Sequence, residues 1–230
     1  MEAFVESLLE ELECNIVFEF SIWNGEKVQV LESVVITWVI MAILIILSKI
    51  LVRNLTIENP GKKQLALEAG IGYLYDFFYG LMGEHGKRYV PYMITIVIYI
   101  GVANIIGLFG MKPPTKDMNV TIALALMSII LIEFAGIRQK GVKGWAKSFA
   151  EPVAIVAPIN VLEIFIRPLS LCMRLFGNVL GAFVVMELIK LCVPVIVPAV
   201  FSCYFDIFDG LIQAYVFVFL TSLFIKEAIE

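Results

Sequence analysis

The sequence predicts an all-α integral membrane protein. Of its 230 residues, 60% are apolar and 17% charged, and the mean hydropathy of +0.93 lies outside the usual range of soluble globular domains. The apolar residues are concentrated in runs long enough to cross about 30 Å of hydrocarbon as helices. The predicted order is a transmembrane helix, an interfacial amphipathic helix, a helical hairpin, and two long, strongly tilted helices that form a second hairpin.

Residues 1–33 are predicted to form an N-terminal segment outside the membrane. The first fifteen contain five glutamates and no lysine or arginine, so the basic start of a secretory signal peptide is missing, and we expect the first apolar run to be retained. That run, residues 34–52, is nearly unbroken in its apolar character. At 1.5 Å per residue it covers about 28 Å and is predicted to span the membrane.

Residues 61–88 mix aromatic and aliphatic side chains with lysines and acids, which is typical of an interfacial helix rather than a spanning one. Residues 89–137 contain two apolar runs separated by residues 111–117, where paired prolines and charges indicate a short exposed turn. We therefore expect a transmembrane hairpin. The glycines and lysines of residues 141–151 predict a basic loop after it.

The last third, residues 152–230, is expected to hold the two long helices. Residues 159–193 would extend about 52 Å as a helix, and residues 199–230 about 48 Å, which exceeds the hydrocarbon thickness. Ordinary tilt shortens the projection only slightly, so these helices must be strongly inclined or broken. Pro168 is a candidate kink, and Pro194 and Pro198 are expected to form the corner between the helices.

The positions of the basic residues predict the orientation. If the end of the first helix is cytoplasmic, eleven basic residues fall inside and four outside, in agreement with the positive-inside rule. The inner set is Lys49, Arg53, Lys62, Lys63, Lys87, Arg88, Arg138, Lys140, Lys143, Lys147 and Lys226, and the outer set is Lys27, Lys112, Lys116 and Lys190. The N-terminus is therefore expected outside and the C-terminus in the cytoplasm.

Arg174 lies deep in an apolar stretch, where a charge costs at least about 2.5–3.5 kcal/mol. It belongs to a polar stripe that repeats at helical spacing. The members of the polar stripe are Glu163, Arg167, Ser170, Arg174, Asn178 and Gly181. One interpretation is a salt bridge from Arg174 to Glu163 or Asp206 that ties helices together. A role in an ion pathway is favoured, since intramembrane ionisable groups usually mark such pathways.

The final helix carries Asp206, Asp209 and Gln213 at spacings of three and four residues, which indicates a water-lined surface or helix pairing. An intramembrane aspartyl protease using the two aspartates is disfavoured, because both lie on one helix. His85, the one histidine, falls in a charged segment and is interpreted as a surface residue. We find no metal cluster, serine triad or phosphate-binding loop, so neither a catalytic centre nor a cofactor is predicted.

The segment from Arg167 to Asn178, with its Arg-Leu-Phe-Gly-Asn run, resembles the signature of the subunit a family of F-type ATP synthases. Further similarities are Asn104 in Asn-Ile-Ile-Gly-Leu, residues 115–121, Glu163, and Gln213 in Gln-Ala-Tyr. The resemblance identifies Arg174 with the stator arginine that faces the rotating ring of c-subunits. It implies two aqueous half-channels that couple proton or sodium transport to rotation for ATP synthesis.

The resemblance also implies the surroundings of the chain. They are the c-ring, the subunit b peripheral stalk, other ATP synthase subunits and lipid of a bacterial plasma membrane, without nucleic acid and without a catalytic site in this chain. We expect Glu163, Ser170 and Asn178 to line the cytoplasmic path, and Asp206, Asp209 and Glu187 the outer one. Asn104 and Gln213 are further expected ion-path residues.

Two positions depart from the proton-type family pattern. Phe183 stands where an acid is expected nine residues after the arginine, and Asp206 where a histidine precedes the glutamine. Glu187, one turn beyond Phe183, is a candidate replacement for the acid. The departures leave the coupling ion open between H⁺ and Na⁺, with sodium slightly favoured. The main alternative function is a self-contained secondary transporter, which would also carry charges at the membrane midplane.

Overall fold

The computed structural model describes residues 16–21, 27–53, 55–56, 60–109, 111–149, 157–192 and 196–230. Within these ranges, five helical stretches are long and apolar enough to cross a membrane. They are Glu32–Leu51, Lys62–Leu108, Met118–Ser148, Ala157–Lys190 and Val200–Ile229. The predicted all-α class is therefore confirmed, with one small addition at the N-terminal end.

That addition is a two-stranded antiparallel ribbon, which the sequence analysis did not predict. Strand β1 is Ile16–Ser21 and strand β2 is Lys27–Leu31, paired so that Ile16 opposes Leu31 and Ser21 opposes Lys27. Helix α1, Glu32–Leu51, follows β2 without a break. Most of α1 is exposed, and it contacts the remaining helices through Ile36 and Ile40, as expected for a helix surrounded largely by lipid.

Helix α2 is Lys62–Gly86 and helix α3 is Val90–Ile105, and a 3₁₀ turn at Lys87–Tyr89 joins them. Gly83, near the end of α2, has a φ of 69°, which only glycine adopts without strain, and the helix bends there. The segment around His85 is therefore helical, and its side chain is exposed.

Helix α4, Met118–Ser148, begins at Asp117, whose carboxylate accepts a hydrogen bond from the backbone N–H of Asn119 at 2.9 Å. The second carboxylate oxygen of Asp117 accepts the hydroxyl of Ser33, which fixes the turn before α4 against the start of α1. The loop predicted from residue 141 is wrong for residues 141–148. The chain bends at Gly141, where φ is 72°, and then continues as helix.

Helix α5, Ala157–Cys192, has 36 residues and runs through Pro168 as one helix. The expected corner at Pro194 lies outside the described residues. Pro198 lies within the short helix α6, Ile196–Ser202, which leads into a π-helical segment, Cys203–Asp209, and then into helix α7, Gly210–Ile229. The π-helical segment carries both Asp206 and Asp209.

Helix α7 lies at the centre of the bundle and packs against α2, α3 and α4. Its Phe217 and Val218 meet Ile100 of α3 and Ile132 of α4 in the main core, where each side chain is at most 1% exposed. The helices of the predicted 89–137 hairpin thus pack on α7 more than on each other. Helix α5 packs mainly on α4, and its buried face includes Leu171 and Leu175.

Candidate functional site

Arg174 lies near the middle of α5, on the turn that contains the buried side chains of Leu171 and Leu175. Its own side chain is half-buried. Among the residues that the structure describes, no hydrogen-bonding or ion-pair partner of its guanidinium is found. Arginine stays protonated even when partly desolvated, so this part of α5 carries a permanent positive charge that the described chain does not neutralise.

The carboxylates considered as partners of Arg174 are engaged elsewhere. The carboxylate of Glu163 accepts a hydrogen bond from the guanidinium of Arg167 at 2.6 Å, and that of Asp206 accepts the hydroxyl of Ser202 at 2.6 Å. The Arg167 guanidinium also reaches Glu227 of α7 at 2.7 Å. The interpretation of Arg174 as a structural salt bridge to Glu163 or Asp206 is therefore wrong.

A cavity of about 510 Å³ lies between α5, the π-helical segment, α7 and the chain around the α3–α4 turn. It brings together five of the predicted ion-path residues, namely Asn104, Asn178, Asp206, Asp209 and Gln213. Glu163, Ser170 and Arg174 do not line it. The grouping of Asn178 with Glu163 is revised accordingly, since Asn178 lies with the two aspartates.

Asn104 of α3 anchors the α7 side of this cavity. Its Nδ2 donates to the carbonyl of Gly210 at 2.9 Å, and its Oδ1 accepts the hydroxyl of Thr115 at 2.8 Å, with both bonds buried. A Cβ atom at Gly210 would lie 2.9 Å from the Cβ of Asn104. The glycine thus permits a close approach of α3 to α7, and the amide satisfies a carbonyl next to the π-helical segment.

Asn178 and Gln213 connect α5 to α7 across the cavity. The Nδ2 of Asn178 donates to the Oε1 of Gln213 at 2.5 Å. Gln213 is 3% exposed, and its Nε2 is buried without a hydrogen-bond partner in the described part of the chain. Because an unpaired buried donor costs about 1–3 kcal/mol, this amide is well suited to bind a polar group within the cavity.

Lysines also line the cavity, and the sequence analysis did not select them as site residues. They are Lys112, Lys116 and Lys190. The ammonium of Lys116 is 3.5 Å from the centroid of the Phe183 ring, and the residue is 8% exposed. Phe183 is the position at which the family pattern has an acid. The two residues are distant in sequence, and the one available signal was the position of Lys116 beside the paired prolines.

Two predicted residues lie outside this cluster for different reasons. Ser170 is exposed on the polar stripe of α5, between Arg167 and Arg174. Glu187 belongs to α5, but its side chain lies outside the described residues. The structure therefore groups the predicted residues into a cavity set and a set along the stripe.

The comparison with protein families decides the class of the chain. A family model described as ATP synthase A chain matches residues 34–226, which include Arg174 and all the cavity residues. The chain belongs to this family. It is thus a multi-pass membrane protein and a component of the ATP synthase complex, and the predicted class of integral membrane protein is confirmed.

Relatives in this family cover most of the chain. ATP synthase subunit a of Moorella thermoacetica is 35% identical over 210 residues, which are 91% of this chain and 95% of the relative. The sodium ion specific ATP synthase subunit a of Propionigenium modestum is 32% identical over 213 residues, or 86% of this chain and 73% of the relative. The subunit of Geotalea daltonii is 35% identical over 204 residues, or 86% and 88%.

Proposed function

We propose that this chain is the stator ion channel subunit of an F-type ATP synthase and that Arg174 couples ion flow to rotation of a c-subunit ring. The observation that carries the proposal is an unneutralised guanidinium midway along α5, one turn from a polar cavity. The chain itself contributes no catalytic site for ATP. Its remaining partners are the subunit b peripheral stalk, other synthase subunits and membrane lipid.

The guanidinium acts on a carboxylate carried by each c-subunit. At about 4 Å and an effective dielectric constant near 20, the attraction is about 4 kcal/mol. This favours the ion-free carboxylate as it passes, so the proton or sodium ion leaves by the exit path. An ion cannot pass directly from one path to the other, because the positive charge repels it. Ion flow therefore requires rotation of the ring.

The cavity serves as the outer half-channel. Asp206 and Asp209 attract cations, and the amides of Asn104, Asn178 and Gln213 supply polar groups for a hydrated ion. Glu187 is assigned to the same half-channel on sequence grounds. The second half-channel opens along the polar stripe by way of Ser170, toward the cytoplasm. Glu163 is held by Arg167 and is not assigned to ion exchange.

Two glycines on the polar-stripe side of α5 support a contact with the ring. A Cβ atom built at Gly177 or Gly181 would have no atom of the described chain within 4 Å. Residues without side chains allow helices to approach closely in membranes. This side of α5 is therefore available to a helix of the ring.

The positions of lysine and arginine support an outer N-terminus and a cytoplasmic C-terminus in a bacterial plasma membrane. The coupling ion is a proton or sodium, and the similarity to a sodium ion specific relative makes sodium the first ion to test. If sodium is the ion, adding it should protect the ring carboxylates of the assembled complex from carboxyl-modifying reagents. Unchanged labelling with sodium at constant pH would identify the proton instead.

The deciding experiment replaces Arg174 with alanine in the assembled synthase and measures ion-driven ATP synthesis in membrane vesicles. We expect coupled synthesis to be abolished, because no positive charge remains to meet the ring carboxylate. Arg138, which is exposed near the end of α4, provides the matched control, and Arg138→Ala should keep coupled synthesis. Normal synthesis by Arg174→Ala would refute the proposal. Solute uptake by the purified chain alone in liposomes would instead support a self-contained transporter.

A further inference from the structure

The polar stripe of α5 carries two arginines, Arg167 and Arg174. They are seven residues apart, so they lie about 10.5 Å apart along the helix axis and differ by only about 20° around it. Two arginines on nearly the same face would both be attractive to a carboxylate that approaches this face. Their surroundings in the structure, however, are different.

Arg167 is enclosed by negative charge. Its guanidinium bonds to the carboxylate of Glu163, one turn away on α5, at 2.6 Å and to that of Glu227 on α7 at 2.7 Å. It also lies 4.9 Å from the centroid of the Phe224 ring. Its side chain is 18% exposed, against 46% for Glu163 and 62% for Glu227. The charge of Arg167 is thus offset by two carboxylates.

Arg174 has no such partner in the described part of the chain. The stripe therefore presents one neutralised guanidinium and one that is not. A bare guanidinium at Arg167 would attract an approaching carboxylate by the same Coulomb interaction as Arg174 does. The ring would then meet a second attractive charge near the end of its contact with α5.

We propose that Glu163 and Glu227 mask Arg167, so that a passing ring carboxylate meets a single attractive charge at Arg174. The inference rests on the function proposed for Arg174. It gives Glu163 a different role from the ion-path role expected from the sequence, and it assigns a role to Glu227, which the sequence analysis did not select. Both are positioning residues, since they act through Arg167 and do not touch the transported ion.

The simpler alternative is that this ion-pair group only fastens α5 to α7. The two explanations differ in what happens when Arg167 is also removed. If fastening is all that matters, a variant that has lost all three charges is at least as impaired as one that has lost only the carboxylates. If masking matters, removing Arg167 restores the activity that was lost with the carboxylates.

The experiment uses the assembled synthase in membrane vesicles and measures ATP-driven ion transport and ATP synthesis. For the double variant Glu163→Gln with Glu227→Gln, we expect rates lower by about tenfold, since an exposed guanidinium holds the ring carboxylates. For the triple variant that adds Arg167→Gln, we expect rates within about twofold of the unmodified complex. Glu133→Gln removes a carboxylate of α4 that bonds to Trp145 and should leave the rates unchanged.

Full activity of the double variant would overturn the proposal, and so would a triple variant as slow as the double. The content of this chain in the complex is measured for each variant. If the double variant fails to assemble, Glu227→Gln is compared with and without Arg167→Gln, and a loss not relieved by Arg167→Gln overturns the proposal. Arg174→Ala is assayed in the same membranes. If it retains coupled synthesis, the proposed function fails; if it does not, a negative result concerns the masking alone.

Discussion

Asn178 and Gln213 join the two long helices by a hydrogen bond of 2.5 Å, one helical turn beyond Arg174. The bond from Arg167 to Glu227 joins the same two helices on the other side of Arg174, at 2.7 Å. Arg174 is therefore held between two polar links to α7. Direct packing between α5 and α7 is otherwise limited, so these links contribute to the position of Arg174 relative to the cavity.

Substitution of Asn178 separates stability from transport. Asn178→Leu alone leaves the buried oxygen of Gln213 without its donor and should destabilise the complex by about 1–3 kcal/mol. Adding Gln213→Leu removes both partners and should recover most of the thermal stability of the detergent-solubilised complex. Ion transport should stay low in the double variant, because two polar groups of the cavity are lost. Recovery of transport together with stability would show that these amides are not part of the ion path.

Gly210→Ala tests the close approach of α3 and α7. The new methyl group would lie 2.9 Å from the Cβ of Asn104, and such overpacking costs about 1–3 kcal/mol. We expect a lower melting temperature of the complex. Gly181→Ala is the matched variant, because its methyl group would meet no described atom within 4 Å. It should leave the melting of the isolated chain unchanged but slow the assembled motor, where the ring is expected to approach.

Gly141→Ala tests the bend in α4. With φ at 72°, an alanine would be strained by about 1–2 kcal/mol, so the bend should straighten or the protein lose stability. Gly80→Ala is the control, since Gly80 lies within α2 and its added methyl group would meet nothing within 4 Å. That variant should be neutral or stabilising by about 0.5–1 kcal/mol. Equal melting temperatures for the two variants would contradict this account of the bend.

Lys116→Gln tests the charge balance of the cavity. The substitution leaves two of three lining lysines to oppose Asp206 and Asp209, so cations should be drawn in more strongly. The apparent KM for the driving cation, added from the cavity side, should fall several-fold at low salt while the maximal rate changes less. Lys143→Gln, at an exposed position of α4, is the control. An unchanged KM would mean that this ammonium does not influence entry.

The sequence was sufficient for the class of the fold, because long apolar runs have few alternatives to membrane helices. It also led to Arg174, since a charge deep in such a run stands out. It could not predict that Glu163 pairs with Arg167 instead of Arg174, because both arginines lie at helical spacing from polar residues of the stripe. The contact of Lys116 with Phe183 was also inaccessible, since it depends on how distant segments pack.

The helix bounds reveal a further limit of sequence patterns. Glycine and lysine in residues 141–148 favoured a loop, but Gly141 absorbs the change of direction and the helix continues. The cluster of Asp206 and Asp209 was recognised by spacing alone. That spacing assumed an α-helix, whereas the residues occupy a π-helical segment whose wider turn depends on packing around Gly210.

The π-helical segment before Gly210 also sets the rotational phase of everything after it. A π turn holds one residue more than an α turn, so shortening Cys203–Asp209 by a single residue would restore a uniform α-helix. Relative to the chain before it, α7 would then swing by about 100° around its axis. Gln213 would turn away from Asn178, and Glu227 from Arg167. One surplus residue therefore keeps both polar links in alignment, and a deletion there would misalign them together.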